Sequence, residues 1–242
     1  MSDAAPDRLS RLSTHWPELA AAHAAEPGEA HAARCAVLRR YCGAVYHYLL
    51  AATRSRDAAD ELGQEFALRF VRGDFHRADP DRGRFRDFVK TVLYHLIADH
   101  YRGRKAAPGA LPPDLPGPEA GTDAEFARLW RAEILDRTWD ELERLDGESG
   151  QAFYPVLRWR AEHPDRPAAD GADATASALG RPLTAAAFRQ TLHRARERFA
   201  DLLLVEVAYS LGTTDRELVT RELADLELLA YCRPAVDRWA ER

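Results

Sequence analysis

Between residues 106 and 123 the chain reads AAPGALPPDLPGPEAGTD, which gathers five of its 14 prolines and three of its 14 glycines. Proline lacks a backbone donor and fixes φ, and glycine raises the entropic cost of a regular backbone, so neither helix nor strand runs through such a stretch. It reads as an extended linker. On both sides apolar residues recur at three- and four-residue spacing, with no run of alternating β-branched positions, so both sides read as helical. The expectation is an all-α chain of two helical domains: an N-terminal extension over 1–32, a first domain over 33–105, the linker 106–123, a second domain over 124–209 and a C-terminal extension over 210–242. In the first domain helices are expected near 33–53, 57–72 and 84–104. The extension should hold one helical stretch, RELVTRELADLELLAYC. The linker is expected to hold the two lobes apart.

Composition sets outer bounds. With 46% apolar residues in 242, each lobe can bury a core, and a net charge of −5 argues against gripping nucleic acid with the whole surface. Partners must therefore be sought locally. Apart from Lys90 and Lys105 every basic side chain is arginine, whose planar fork suits phosphate, carboxylate and base edges. Cys35, Cys42 and Cys232 are odd in number and form no C-x-x-C pair, which speaks against a disulfide framework or a structural zinc site. The first residues carry no apolar run suited to a signal peptide, and no stretch of about 18 apolar residues occurs, so a cytoplasmic chain with no membrane partner is expected.

Residues 57–70, DAADELGQEFALRF, separate into two faces at 100° per residue. Ala59, Leu62, Phe66 and Phe70 share an arc of about 80°, and Asp57, Asp60, Glu61, Gln64 and Glu65 gather opposite. That acidic side is either a solvated face over a core stripe or a docking face for an arginine-rich partner helix, where complementary charge sets encounter and register.

Residues 79–105 carry seven cationic side chains against four aspartates inside an acidic protein. Phe85, Phe88, Val89, Val92, Leu93 and Leu96 form an apolar face, and Arg86, Lys90, Tyr94, Tyr101 and Arg104 are expected on another. Tyrosines among cations suit single-stranded nucleic acid, because an aromatic ring stacks an unpaired base while Arg and Lys follow the backbone. An ordinary amphipathic helix with a charged outer face has the same pattern. His95, Asp99 and His100 stand close enough to ligate a metal, although Asp99 is also three residues from Arg102, a more ordinary partner. No nucleophile-base-orienter set, glycine-rich phosphate loop or paired-carboxylate motif stands out, so neither an enzyme nor a cofactor is expected.

In residues 174–204 a short Ala-rich helix ends at Gly180 and Pro182, and a longer one opens at Thr184, a suitable N-cap. Phe188, Leu192, Ala195 and Phe199 repeat at helical spacing, which aims Arg189, Gln190, His193 and Arg196 outward. Such side chains read base edges and phosphates in a major groove. Five arginines against one glutamate between Arg181 and Arg198 make this the second basic island.

In this order and spacing, the segments resemble bacterial RNA polymerase sigma factors of the extracytoplasmic-function group of the sigma-70 family. DAADELGQEF resembles the family's core-binding helix, GRFRDFVKTVLYHLIADHYRGRK the helix that opens and reads the minus-ten element, and LHRAR the end of the minus-thirty-five recognition helix. The ending FADLLLVEVAYSL and its acidic continuation resemble a subgroup from planctomycete-type genomes.

The resemblance implies a region 2-like bundle, a region 4-like helix-turn-helix domain, and the partners core polymerase, promoter DNA and a separate anti-sigma protein. It places Asp57, Asp60, Glu61, Gln64 and Glu65 on the clamp helices of the largest polymerase subunit. It assigns Arg82, Arg84, Arg86, Lys90, Tyr94, His95, Tyr101 and Arg102 to minus-ten DNA, with loop 74–84 helping to capture a flipped base. It assigns Thr184, Arg189, Gln190, Thr191, His193, Arg194 and Arg196 to minus-thirty-five DNA. His95 stands where the family usually carries Asn and Phe88 where it carries Trp, and the Gly180-to-Thr184 turn is two residues longer than usual. Alternative readings are a helix-turn-helix regulator acting without polymerase, a sigma-like adaptor, and a metal-dependent helical hydrolase built on His95, Asp99 and His100.

Overall fold

Local capping chemistry sets several of the helix boundaries. In the computed structural model, which describes residues 27–72, 85–104, 121–211 and 213–240, nine α-helices and no strand occur among the described residues. They are α1 (Pro27–Thr53), α2 (Arg56–Arg72), α3 (Phe85–Arg104), α4 (Gly121–Ser149), α5 (Phe153–Glu162), α6 (Ala168–Leu179), α7 (Ala185–Leu211), α8 (Arg216–Asp225) and α9 (Leu229–Ala240). The all-α expectation holds. Between α1 and α2 the chain reverses at Arg54, which takes a left-handed φ of 53°. Ser55 then opens α2 by accepting the Ala58 N–H on its hydroxyl at 3.3 Å. At α5 the N-cap, Ala152, has no side chain to offer. Asp146, eight residues back, accepts the Tyr154 N–H at 2.6 Å instead. Burial pushes the Asp146 carboxyl above its ordinary range, and backbone N–H groups of Tyr154 and Phe153 pull against that rise.

The linker expectation changes at its second end. Residues 106–120 lie outside the described residues, but Gly121, Thr122 and Asp123 already belong to α4. In place of lobes held apart, the first half of α4 lies on the first lobe. Trp130 stacks on Tyr41 of α1 with ring centroids 4.5 Å apart and planes 3° from parallel. Phe126 meets Tyr48 edge-on at 5.0 Å. The Arg137 guanidinium sits 5.6 Å from the Tyr41 ring centre. The second half of α4 belongs to the other lobe, where Trp139 packs on Phe199 of α7 at 4.6 Å and on Tyr154 of α5 at 5.9 Å. One helix thus contributes to both cores. The periodicity of α4 reports only that it buries a stripe, not which neighbours share it.

A short turn over residues 180–184 joins α6 to α7. Gly180 ends α6 in the left-handed region at φ 63°, and the Arg181 N–H closes back on the Ala176 carbonyl at 3.3 Å. Thr184 caps α7 as expected, its Oγ1 accepting the Ala187 N–H at 3.2 Å. Gly171 sets how closely the two helices approach. A Cβ built there would lie 2.5 Å from the Phe188 ring and 2.6 Å from the Trp159 ring. Those rings meet edge-on at 5.6 Å, and Phe188 is fully buried while Trp159 is partly buried, so an added methyl forces the two rings to shift. Gly171→Ala should therefore destabilise the second lobe by about 1–2 kcal/mol, overpacking outweighing the roughly 1 kcal/mol that alanine gains in helix propensity. Chemical denaturation checks the sign.

The C-terminal extension is two helices rather than one stretch. Glu227 turns left-handed at φ 58°. Its N–H bonds the Ala224 carbonyl at 2.9 Å and the Leu228 N–H bonds the Leu223 carbonyl at 2.8 Å, the paired closure of a Schellman end. Leu223 and Leu228, which accompany that closure, are both buried. A left-handed glutamate is not visible in the 3.6-residue pattern, which runs on across it. Leu223 and Leu226 pack in the core, whereas Leu218 stays 46% exposed.

Candidate nucleic-acid interface

Helix α2 divides its surface as the wheel predicts. Ala58, Ala59, Leu62, Phe66 and Phe70 are buried, and Asp57, Asp60, Glu61 and Gln64 are exposed. Glu65, half-buried, accepts from Arg69 Nε at 2.6 Å. Leu68, 50% exposed, continues the same outer surface one turn beyond Gln64 and is an apolar residue that the charge pattern did not bring forward. A helix whose inner face is anchored by two phenylalanines presents its carboxylates on a fixed frame, as recognition of a basic partner requires.

On α3 the buried face consists of Phe85, Val89, Leu93, Leu96 and Ile97, with Phe88 and Val92 at its edge. Lys90, Tyr94 and Tyr101 lie within about 40° of one another around the helix and are half-buried, and His95 is exposed. Arg102 is exposed and bonds Asp99 at 2.8 Å, the ordinary i,i+3 partnership. Among the described residues no group of three or more His, Cys, Asp or Glu side chains is placed to hold a metal ion. Arg82, Arg84 and loop 74–84 lie outside the described residues.

Arg86 departs from expectation. Instead of standing on an outer face with Lys90 and Tyr94, it is buried, its Nε 3.0 Å from Oε1 of Glu222 on α8. Its Nη2 lies 3.3 Å from Glu222 Oε2 and 4.0 Å from Asp225 Oδ2. A signal was present: at 100° per residue Arg86 falls between Leu93 and Ile97, inside the buried arc. A charge is tolerated there only because a carboxylate meets it, and nothing local announces that partner.

The first three turns of α7 offer the second basic surface. Phe188, Leu192, Ala195 and Phe199 face inward, while Arg189, Gln190, His193, Arg194 and Arg196 are exposed and Thr191 is half-buried. His193 Nε2 lies 3.7 Å from Glu197 Oε1, and the Arg194 guanidinium 5.5 Å from the Phe153 ring centre. The Thr184 hydroxyl is engaged as the cap. Below this surface, α9 is fastened to α7 by an Arg238–Asp201 contact of 2.6 Å and by the Tyr231 hydroxyl donating to the Arg196 carbonyl at 3.4 Å. Cys232 is buried against α7, and burial pushes its thiol up to about 12, which keeps it protonated and unsuited to nucleophilic work.

Two surfaces of opposite charge thus sit on rigid helices: an acidic one on α2 and a basic one on α7, with tyrosines and Lys90 along α3. Residues 37–107 match the family model for sigma-70 region 2. No curated protein and no solved structure matches the chain. The match covers α2, α3 and most of α1 and supports a sigma-70 family sigma factor role in promoter recognition and transcription initiation, including contact with core RNA polymerase and promoter DNA. No described helix is long and apolar enough to cross a membrane.

Proposed function

We propose that the chain is a dissociable sigma factor of the extracytoplasmic-function group, in the subgroup from planctomycete-type genomes, acting in the cytoplasm and performing no chemistry itself. The observation that carries this reading is the sigma-70 region 2 match over residues 37–107, inside which the carboxylates of α2 stand exposed on a buried aromatic base. Asp57, Asp60, Glu61, Gln64 and Glu65 dock on the clamp helices of the largest polymerase subunit. Lys90, Tyr94, His95, Tyr101 and Arg102, with Arg82 and Arg84, meet the opened minus-ten strand, tyrosine and histidine stacking on bases while the cations follow phosphates. Arg189, Gln190, Thr191, His193, Arg194 and Arg196, with the α7 start at Thr184, meet the minus-thirty-five duplex. A separate anti-sigma chain restrains the factor.

The net charge of −5 fits such a division of labour. Phosphate attraction scales with local cations, and surplus acid opposes it, so free protein binds DNA poorly and gains affinity after docking on polymerase. The test is transcription in vitro with core polymerase on a genomic fragment library. The proposal expects start sites that share an upstream motif and depend on this chain; start sites unchanged by its addition would sink it. Within that assay Arg189→Ala should cost about 1–3 kcal/mol at one base position if the guanidinium reads a base edge. A loss spread evenly over all promoters would make Arg189 a phosphate contact instead.

A further inference from the structure

We infer that α8 is a latch which occupies Arg86 in the free protein and withholds it from nucleic acid. The inference deepens the sigma factor reading and rests on it for what α3 would hold. Arg86 and Glu222 are 136 residues apart, and their side chains are 9% and 1% exposed. Nη2 donates to Glu222 Oε2 at 3.3 Å, while Nε, which makes no hydrogen bond among the described residues, lies 3.0 Å from Oε1; with Asp225 at 4.0 Å, these carboxylates set anionic oxygens against the guanidinium as a phosphodiester would. The α8 carboxylates therefore compete with a nucleic-acid backbone for the same donors.

The latch is fastened at more than one point. Arg131 of α4 donates to the Leu226 carbonyl at 3.2 Å and pairs with Glu227, so the end of α8 is tied to the helix that joins the lobes. Val219 and Leu223 on α8 are fully buried. A buried ion pair adds little net stability compared with an apolar contact of similar shape, but it tolerates only one docking geometry. Such a contact suits a two-state element: closed, with Arg86 on Glu222, or open, with Arg86 facing solvent beside Lys90. If the open state is about one molecule in ten, free protein binds nucleic acid about tenfold more weakly than its open form would.

The experiment uses full-length protein and a fluorescein-labelled 30-nucleotide single strand of random sequence at low salt, read by anisotropy. Glu222→Gln keeps the side-chain shape and removes the charge, and should raise affinity about tenfold. Glu217→Gln makes the same change of net charge on an 85%-exposed side chain of the same helix and should stay within twofold of wild type. Equal affinities for the two variants would overturn the latch. Where Glu222→Gln fails to fold, Asp225→Asn, at a 43%-exposed position, should raise affinity two- to threefold, and a flat response there overturns the proposal. Retention on immobilised core polymerase is measured in parallel, for wild type and Glu222→Gln. Release without core retention would reject the sigma factor reading and leave the latch standing. Core retention without release would do the reverse.

Discussion

Reversing two charges on α2, with Asp60→Arg and Glu65→Arg together, should abolish co-purification with core RNA polymerase while leaving helix content unchanged. Asp60 is exposed and Glu65 half-buried at the flank of the stripe, and neither belongs to the buried set Ala58, Ala59, Leu62, Phe66 and Phe70. The internal cost is the Glu65–Arg69 contact, a partly exposed i,i+4 pair of the kind that contributes a few tenths of a kcal/mol. The cost at the interface is of another order. Each acid-to-arginine change removes an attraction to a basic partner helix and installs a repulsion, and charge pairs closely apposed across interfaces couple by about 1.5–7 kcal/mol. Two reversals should remove at least about 3 kcal/mol, more than a hundredfold in affinity. Circular dichroism supplies the folding control and a pull-down the binding readout. Undiminished retention of a folded double variant would withdraw the docking role from α2.

Trp130→Ala should be the most damaging substitution for stability. The indole is 1% exposed, lies flat on Tyr41 and is flanked by Phe126 at 5.7 Å and Phe85 at 6.3 Å. Truncation removes the largest side chain of the joint between α1, α3 and α4 and leaves a cavity among rings that cannot collapse inward. Losses of about 3–5 kcal/mol attend such truncations. In a chain of this size that lowers Tm by on the order of 10 °C. Trp130→Phe separates packing from hydrogen bonding. The indole N–H has no acceptor among the described residues. Phenylalanine keeps a ring on Tyr41 and discards that unsatisfied donor, so its loss should be less than half that of alanine. Equal losses for the two variants would mean that the stack does not carry the joint. Because Trp130 belongs to α4 while Tyr41 belongs to α1, the alanine variant should also loosen the lobes from each other, visible as a larger radius of gyration in solution scattering.

Much of the candidate site was legible because its information is local. The two faces of α2 and the inward row Phe188, Leu192, Ala195 and Phe199 follow from spacing along one helix. The Thr184 cap follows from one side chain and a backbone N–H three residues on. Leu68 is not visible in the sequence pattern because an exposed leucine leaves no mark in a charge distribution, nor is the break at Glu227, because a left-handed glutamate interrupts no apolar periodicity. Arg86 is illegible for a different reason. Its position on the wheel favours burial, but its type argues for solvent, and the deciding carboxylate lies on α8, 136 residues away.

The same division holds for the whole molecule. Sequence by itself determined the all-α class, the approximate ends of α2 and α3, the sign of each exposed face and the likeness of the first lobe to sigma-70 region 2. Each of these depends on residues within a few turns of one another, where the 3.6-residue period and capping chemistry act. Tertiary structure decided that α4 serves two cores, that Trp130 closes on Tyr41, and that the acidic C-terminal helix takes Arg86 out of water. Those outcomes depend on which buried surfaces find complementary shape and which buried charge finds its counter-charge. Such pairings join residues far apart in the chain and are settled only when the helices pack.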